Sequence, residues 1–123
     1  MPTLDPAGFT ALLQRLADAW GRQDTPAALA CFAPDAVYIE PPDVQLFVGH
    51  AQLGPYFGAL TPGTYLRFHH LWFDAGAQTG AAEFSFGVAG RPTADHGMVS
   101  LELRGGLIGV WREYPRKGPA DFA

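Results

Sequence analysis

The sequence predicts an α+β domain, with helices packed on one face of a mostly antiparallel sheet. Three observations carry this. The N-terminal half holds cap-and-proline helix starts and a helix-period apolar face. From Tyr65 onward the chain changes to alternating apolar runs, broken by short turns that contain Gly or Pro. The chain is also short, at 123 residues, which suits a single domain spanning 1–123. Helices first and strands later segregate into an α+β fold. Short gaps between strands make neighbours pair antiparallel.

Asp5-Pro6 starts the first helix, since Asp caps and Pro suits the first helical position. Phe9, Leu12, Leu13, Leu16, Ala17 and Trp20 then recur at helical spacing and make one apolar face. Thr25-Pro26 repeats the start, and Ala28, Leu29 and Phe32 follow as a second short helix that Pro34 stops. Ala36 to Glu40 is a strand by its β-branched and aromatic content, ended by Pro41-Pro42. Leu53, Phe57 and Leu60, with Tyr56, indicate a third helix. Gly54-Pro55 places its start near Ala51 or Gln52, because proline is tolerated only in a first turn. Four strands follow: Tyr65–Phe73, Thr79–Ala89, Ala94–Leu103 and Leu107–Tyr114. Residues 116–123, with Lys117, Gly118 and Pro119, read as a loosely ordered tail.

Composition excludes several classes. Hydrophobic residues make up 48% of the chain, which argues against disorder. Eight basic against twelve acidic residues give a net charge of −4, which disfavours nucleic acid or an anionic membrane as partner. The lone Cys31 reads as a small core residue. No signal peptide or membrane span is evident, so a cytoplasmic protein is expected. His50, His69, His70 and His96 do not have the spacing of metal ligands, and no cofactor motif is present.

This order of elements resembles the nuclear-transport-factor-2-like superfamily, which includes SnoaL-type polyketide cyclases, ketosteroid isomerases and limonene epoxide hydrolases. The matching stretches are Leu13 to Leu16 through Trp20, Ala30 to Tyr38, Gly49, and Val110-Trp111-Arg112-Glu113-Tyr114. The resemblance implies a cone: a strongly curved sheet that wraps the helices and encloses a hydrophobic pocket. It also implies a homodimer formed through the outer face of the sheet. Glu40, before Pro41, falls on the catalytic base of the ketosteroid isomerases. Their two oxyanion donors fall on Leu16 and Val99, which cannot donate. The water-positioning tyrosine of the epoxide hydrolases falls on Tyr38, their asparagine on Glu40 and the acid of their last motif on Glu113. Their arginine–aspartate pair falls near Glu83 and Ser85.

Strand parity from these positions places Tyr38 and Glu40, Glu83 and Ser85, Asp95 and Val99, and Trp111 and Glu113 toward the pocket; a one-residue slip of the Thr79–Ala89 strand would instead turn Glu83 outward and bring Phe84 and Phe86 in. Leu16, Trp20 and Phe57 would close it from the helices. Buried carboxylates that meet in an apolar cup raise one another's pKa and can share base and acid roles. The resulting expectation is cofactor-independent acid–base chemistry on a small hydrophobic molecule: isomerisation, cyclisation or hydration. Glu40 is the base, Glu113 the acid or its partner, and Tyr38 the orienting hydroxyl. The competing reading is a non-catalytic ligand-binding or dimerisation module whose carboxylates are structural. On that reading Glu40 caps a strand end and Glu113 ties down the tail.

Overall fold

A computed structural model describes residues 2–121. Helix α1 spans Pro6–Gly21, and the side chain of Asp5 caps it by accepting from the Gly8 N–H at 2.7 Å. Its apolar face buries Phe9, Leu12, Leu13, Leu16 and Trp20, as the spacing requires, and it lies against strand β3 (Thr64–Asp74). Helix α2 is short, Thr25–Leu29, and is capped by Asp24.

Phe32 does not belong to that helix. It begins strand β1, Phe32–Glu40, where it pairs with Ile108 and is buried in an aromatic cluster with Tyr38, Phe57 and Trp111. Burial and pairing override the local helical pattern here. Pro34 sits inside the strand, within the register shift between Phe32 and Val37, where a missing N–H breaks no ladder bond. A short strand that the sequence reading missed, β2 (Gln45–Val48), pairs antiparallel with β1 and sets Phe47 opposite Tyr38.

Helix α3 runs Gly49–Gly58, starting earlier than Ala51, so Pro55 lies inside it. The Gln52 side chain reaches back to accept from the Val48 N–H at 2.7 Å, which fixes that early start. Gly49 enters the helix at φ +78°, a conformation that favours glycine.

Strands β3, β4 (Thr79–Val88), β5 (Thr93–Arg104) and β6 (Leu107–Pro119) form the expected antiparallel meander. The six-stranded sheet is mixed, in the order β2-β1-β6-β5-β4-β3, with β1 and β6 parallel. It is not closed, because β2 and β3 remain as its two edges. That β1–β6 pairing brings the first strand beside the last, so Tyr38 and Trp111 become direct neighbours.

The tail expectation needs correction. Residues 116–119 continue β6 and pair with Thr93 to His96 of β5, and the Ala120 N–H donates to the Pro92 carbonyl at 2.8 Å. The final two residues of the expected tail lie outside the described residues. Cys31 is buried and free, its thiol pKa pushed up by burial. Among the described residues no helix is long and apolar enough to cross a membrane.

Candidate active site

The parallel pair β1–β6 builds one wall of a cavity of about 190 Å³. Tyr38 and Trp111 stack across this pair, ring centroids 5.3 Å apart and only 6° from parallel. Two residues further on, the same parity points Glu40 and Glu113 into the cavity. Asp95 reaches it from β5, and Trp20 closes it from the end of α1. Six residues singled out from sequence are thus brought together: Trp20, Tyr38, Glu40, Asp95, Trp111 and Glu113.

Glu113 is the electrostatic centre. The indole Nε1–H of Trp111 donates to its Oε1 at 3.2 Å, and the Tyr38 side chain acts on the same carboxyl. Burial pushes its carboxyl pKa above the ordinary range. The Trp111 bond and the nearby Tyr38 hydroxyl pull it back in part, and the negative charges of Glu40 and Asp95 raise it further. The Tyr38 hydroxyl is raised well above the ordinary tyrosine value, first by burial, then by Tyr56 and Glu113. The same burial, with the Glu113 charge, lifts Tyr56 to about 12. Both phenols therefore stay protonated at any physiological pH and serve as hydrogen-bond donors.

Trp20 adds a donor of another kind. Its ring is 3% exposed and stands edge-on to Phe86, with centroids 5.4 Å apart. Its Nε1–H is sealed from solvent and has no hydrogen-bond partner among the described residues. A buried donor left unsatisfied costs about 1–3 kcal/mol.

Five expected pocket residues lie elsewhere. Leu16, Phe57 and Val99 are buried in the core behind the wall: Phe57 packs on Trp20 and Phe32, and Val99 lies opposite Glu113 in the β5–β6 ladder. Glu83 and Ser85 belong to the other face of the sheet. The residues of β4 that reach the cavity are Phe84 and Phe86, one position out of register with Glu83 and Ser85. Glu83 instead lies 3.7 Å from His70. Ser85 is buried between His69 Nε2 and His96 Nδ1, at 2.7 Å from each.

The proton positions in that chain follow from its far end. His96 Nε2 lies 2.6 Å from the Pro119 carbonyl, which can only accept, so it carries the proton. With His96 neutral, Ser85 donates to its Nδ1 and accepts from the His69 Nε2–H. Replacing Ser85 with alanine is expected to lower unfolding free energy by about 1–3 kcal/mol while leaving cavity binding unchanged. Urea unfolding checks the first half and a ligand titration the second.

The sequence reading missed Tyr56, Leu66 and Pro115 as lining residues, and held Phe84 and Phe86 only as the alternative register of β4. Tyr56 stacks on Phe47 at 4.7 Å and lies 5.5 Å from Tyr38, a position that depends on the missed strand β2. For Phe84 and Phe86 a signal existed: Ala82, Phe84 and Phe86 alternate as the apolar side of β4. Among the described residues no group of three or more His, Cys, Asp or Glu is placed to hold a metal ion.

The fold recurs in solved structures. A Methylobium petroleophilum protein of unknown function with a cystatin-like fold is 26% identical, with a TM-score of 0.82 over 93% of this chain and 79% of that one. The epoxide hydrolase/cyclase-like enzyme SalBIII, which acts in pyran ring formation in the polyether salinomycin, is 16% identical, with a TM-score of 0.78 over 94% and 98%. A Mycobacterium tuberculosis epoxide hydrolase of the limonene-epoxide-hydrolase-like type is 16% identical, with a TM-score of 0.72 over 88% and 78%. No curated protein matches the sequence. The SnoaL-like domain model matches residues 13–111, and the chain belongs to the SnoaL-like domain family.

Proposed function

We propose that this protein is a cofactor-independent acid–base enzyme acting on a small, mainly hydrocarbon molecule, in an isomerisation, cyclisation or epoxide-opening reaction. The observation that carries this is Glu113: a half-buried carboxyl with a raised pKa, held by the Trp111 indole beside Tyr38 and facing Glu40 and Asp95 in one cavity. A carboxyl whose pKa is raised by burial holds its proton to higher pH than an ordinary one, which suits it to donate to a leaving or developing oxygen. A second carboxylate in the same cup accepts one from carbon or water, and Glu40 has this role. Tyr38 orients the substrate or water through its hydroxyl. The cavity is below the roughly 300–1,000 Å³ of sites for drug-sized ligands, which favours a substrate smaller than a steroid. The epoxide hydrolase and cyclase activities of similar structures support the reaction class.

The experiment is a turnover screen of small epoxides and unsaturated ketones, coupled to mass spectrometry of whatever co-purifies. Turnover with a bell-shaped pH profile is expected. A co-purified ligand with no turnover of its chemical class would instead establish a binding module.

The partner on the outer face is expected to be a second copy of the chain. Trp72, Met98 and Tyr114 stand exposed there, and Met98 and Tyr114 are ladder partners. Such an apolar patch supports self-association. Analytical ultracentrifugation should give a dimer that Trp72→Glu combined with Tyr114→Glu converts to monomer. A wild-type monomer at micromolar concentration would refute this.

A further inference from the structure

The charged groups lining the cavity are Glu40, Asp95 and Glu113. Negative charge that develops on a substrate oxygen there meets like charge, and a fixed neutral donor aimed at that oxygen offsets the repulsion. Besides the carboxyls, four lining side chains carry a donor: Trp20, Tyr38, Tyr56 and Trp111. The Trp111 N–H is already given to Glu113 at 3.2 Å. The Trp20 N–H is sealed from the cavity as well as from solvent. Tyr38 is 1% exposed, and its hydroxyl lies near the Glu113 carboxyl, an acceptor that competes for it. Tyr56 remains. It lines the cavity from α3 and is only half-buried, so an occupant can reach it. Its ring is held by Phe47, stacked 4.7 Å away at 27°, and by Tyr38, 5.5 Å away. A donor held in place before the substrate arrives costs no reorganisation as charge develops.

We propose that Tyr56 is a further catalytic residue of this site: its hydroxyl donates a hydrogen bond to the carbonyl or epoxide oxygen of a neutral occupant and holds that oxygen for Glu113. Burial and the Glu113 charge push the Tyr56 pKa up to about 12, so Tyr56 keeps its proton throughout, and the proton transferred is that of Glu113. This rests on the acid–base reading of the cavity and adds the group that binds the substrate oxygen. It also gives strand β2 a purpose, since its Phe47 fixes the Tyr56 ring.

Tyr56→Phe keeps the ring and deletes the hydroxyl. NMR titration of the full chain with two probes tests the role: cyclohexanone labelled with carbon-13 at the carbonyl, and methylenecyclohexane, in which CH2 replaces the oxygen. The labelled carbon should move downfield on binding the wild type, as a carbonyl does when it accepts a hydrogen bond, and should move back in Tyr56→Phe. The variant should bind the ketone about fivefold more weakly, the scale of one net hydrogen bond. Its affinity for methylenecyclohexane should be unchanged, which a mere change of cavity shape would not allow. A carbonyl shift that survives in Tyr56→Phe would overturn the inference, and one lost instead in Tyr38→Phe would assign the donor to Tyr38. Equal weakening of both probes, or no binding of the ketone by the wild type, would also overturn it. None of these outcomes bears on Glu113 and Glu40 as acid and base, which the turnover screen judges separately. Far-ultraviolet circular dichroism shows whether the variant is folded. If it is not, 3-fluorotyrosine at position 56, a stronger donor of nearly the same shape, should move the labelled carbon further downfield, and an unmoved signal would overturn the inference.

Discussion

Replacing Trp111 with alanine is expected to cost about 3–5 kcal/mol of unfolding free energy, the range for removing a large buried aromatic. Trp111 is 1% exposed, and it stacks on Tyr38 and tilts against Phe32 and Phe68. It holds β6 to β1 at the one parallel junction of the sheet, so the hole it leaves is bounded by strands that cannot close over it. A domain of this size has about 5–15 kcal/mol in total, so the variant should be close to unfolding at physiological temperature. Trp111→Phe separates packing from hydrogen bonding. It keeps most of the ring but deletes the donor to Glu113, so its stability loss should be smaller and the Glu113 pKa should rise further. Denaturant unfolding reads the first effect and carboxyl NMR titration the second. A Trp111→Ala loss below about 1 kcal/mol would mean that the junction is not part of the cooperative core.

Trp111 and Glu113 also show why some of the site was legible. On one strand, parity alone fixes which residues share a face, and Trp111 and Glu113 were read correctly from it. The same holds for Tyr38 with Glu40 and for Asp95 opposite His96. Position in β4 was less secure, because both of its faces are partly buried. Ser85 is shielded on the outer side by His69 and His96, as Phe84 is shielded on the inner side by the core. Placement by analogy set Glu83 and Ser85 inward, while the plain alternation of Ala82, Phe84 and Phe86 indicated the opposite face. Strand β2 has only four residues, too few for a clear alternation, and the loss of β2 concealed the role of Tyr56. Phe32 misled for a related reason. Its helical spacing is local, whereas its pairing with Ile108 spans most of the chain.

The second large effect concerns Glu113. On the proposed mechanism Glu113→Gln removes the proton donor while keeping an acceptor for Trp111, and turnover should fall by about 10²–10⁴-fold. Stability should respond in a distinct way. Burial raises the Glu113 pKa, so between its ordinary value and the raised one the folded chain binds more protons than the unfolded chain. Stability therefore falls as pH rises through that window: the contribution is full below the unfolded pKa and is lost above the folded one. Glutamine carries no charge at any pH, so the variant escapes this loss. It should be more stable than the wild type at neutral pH, and the difference should shrink as the solution is acidified toward pH 4. A group kept for packing would show no such pH dependence, and a purely structural hydrogen-bond acceptor would be destabilised by its loss at every pH. An increase in stability at neutral pH, joined to a collapse of turnover, is the signature of a carboxyl whose burial is costly and whose proton is used. If the variant kept full turnover, the acid would have to be Asp95 or Glu40, the other two carboxyls lining the cavity.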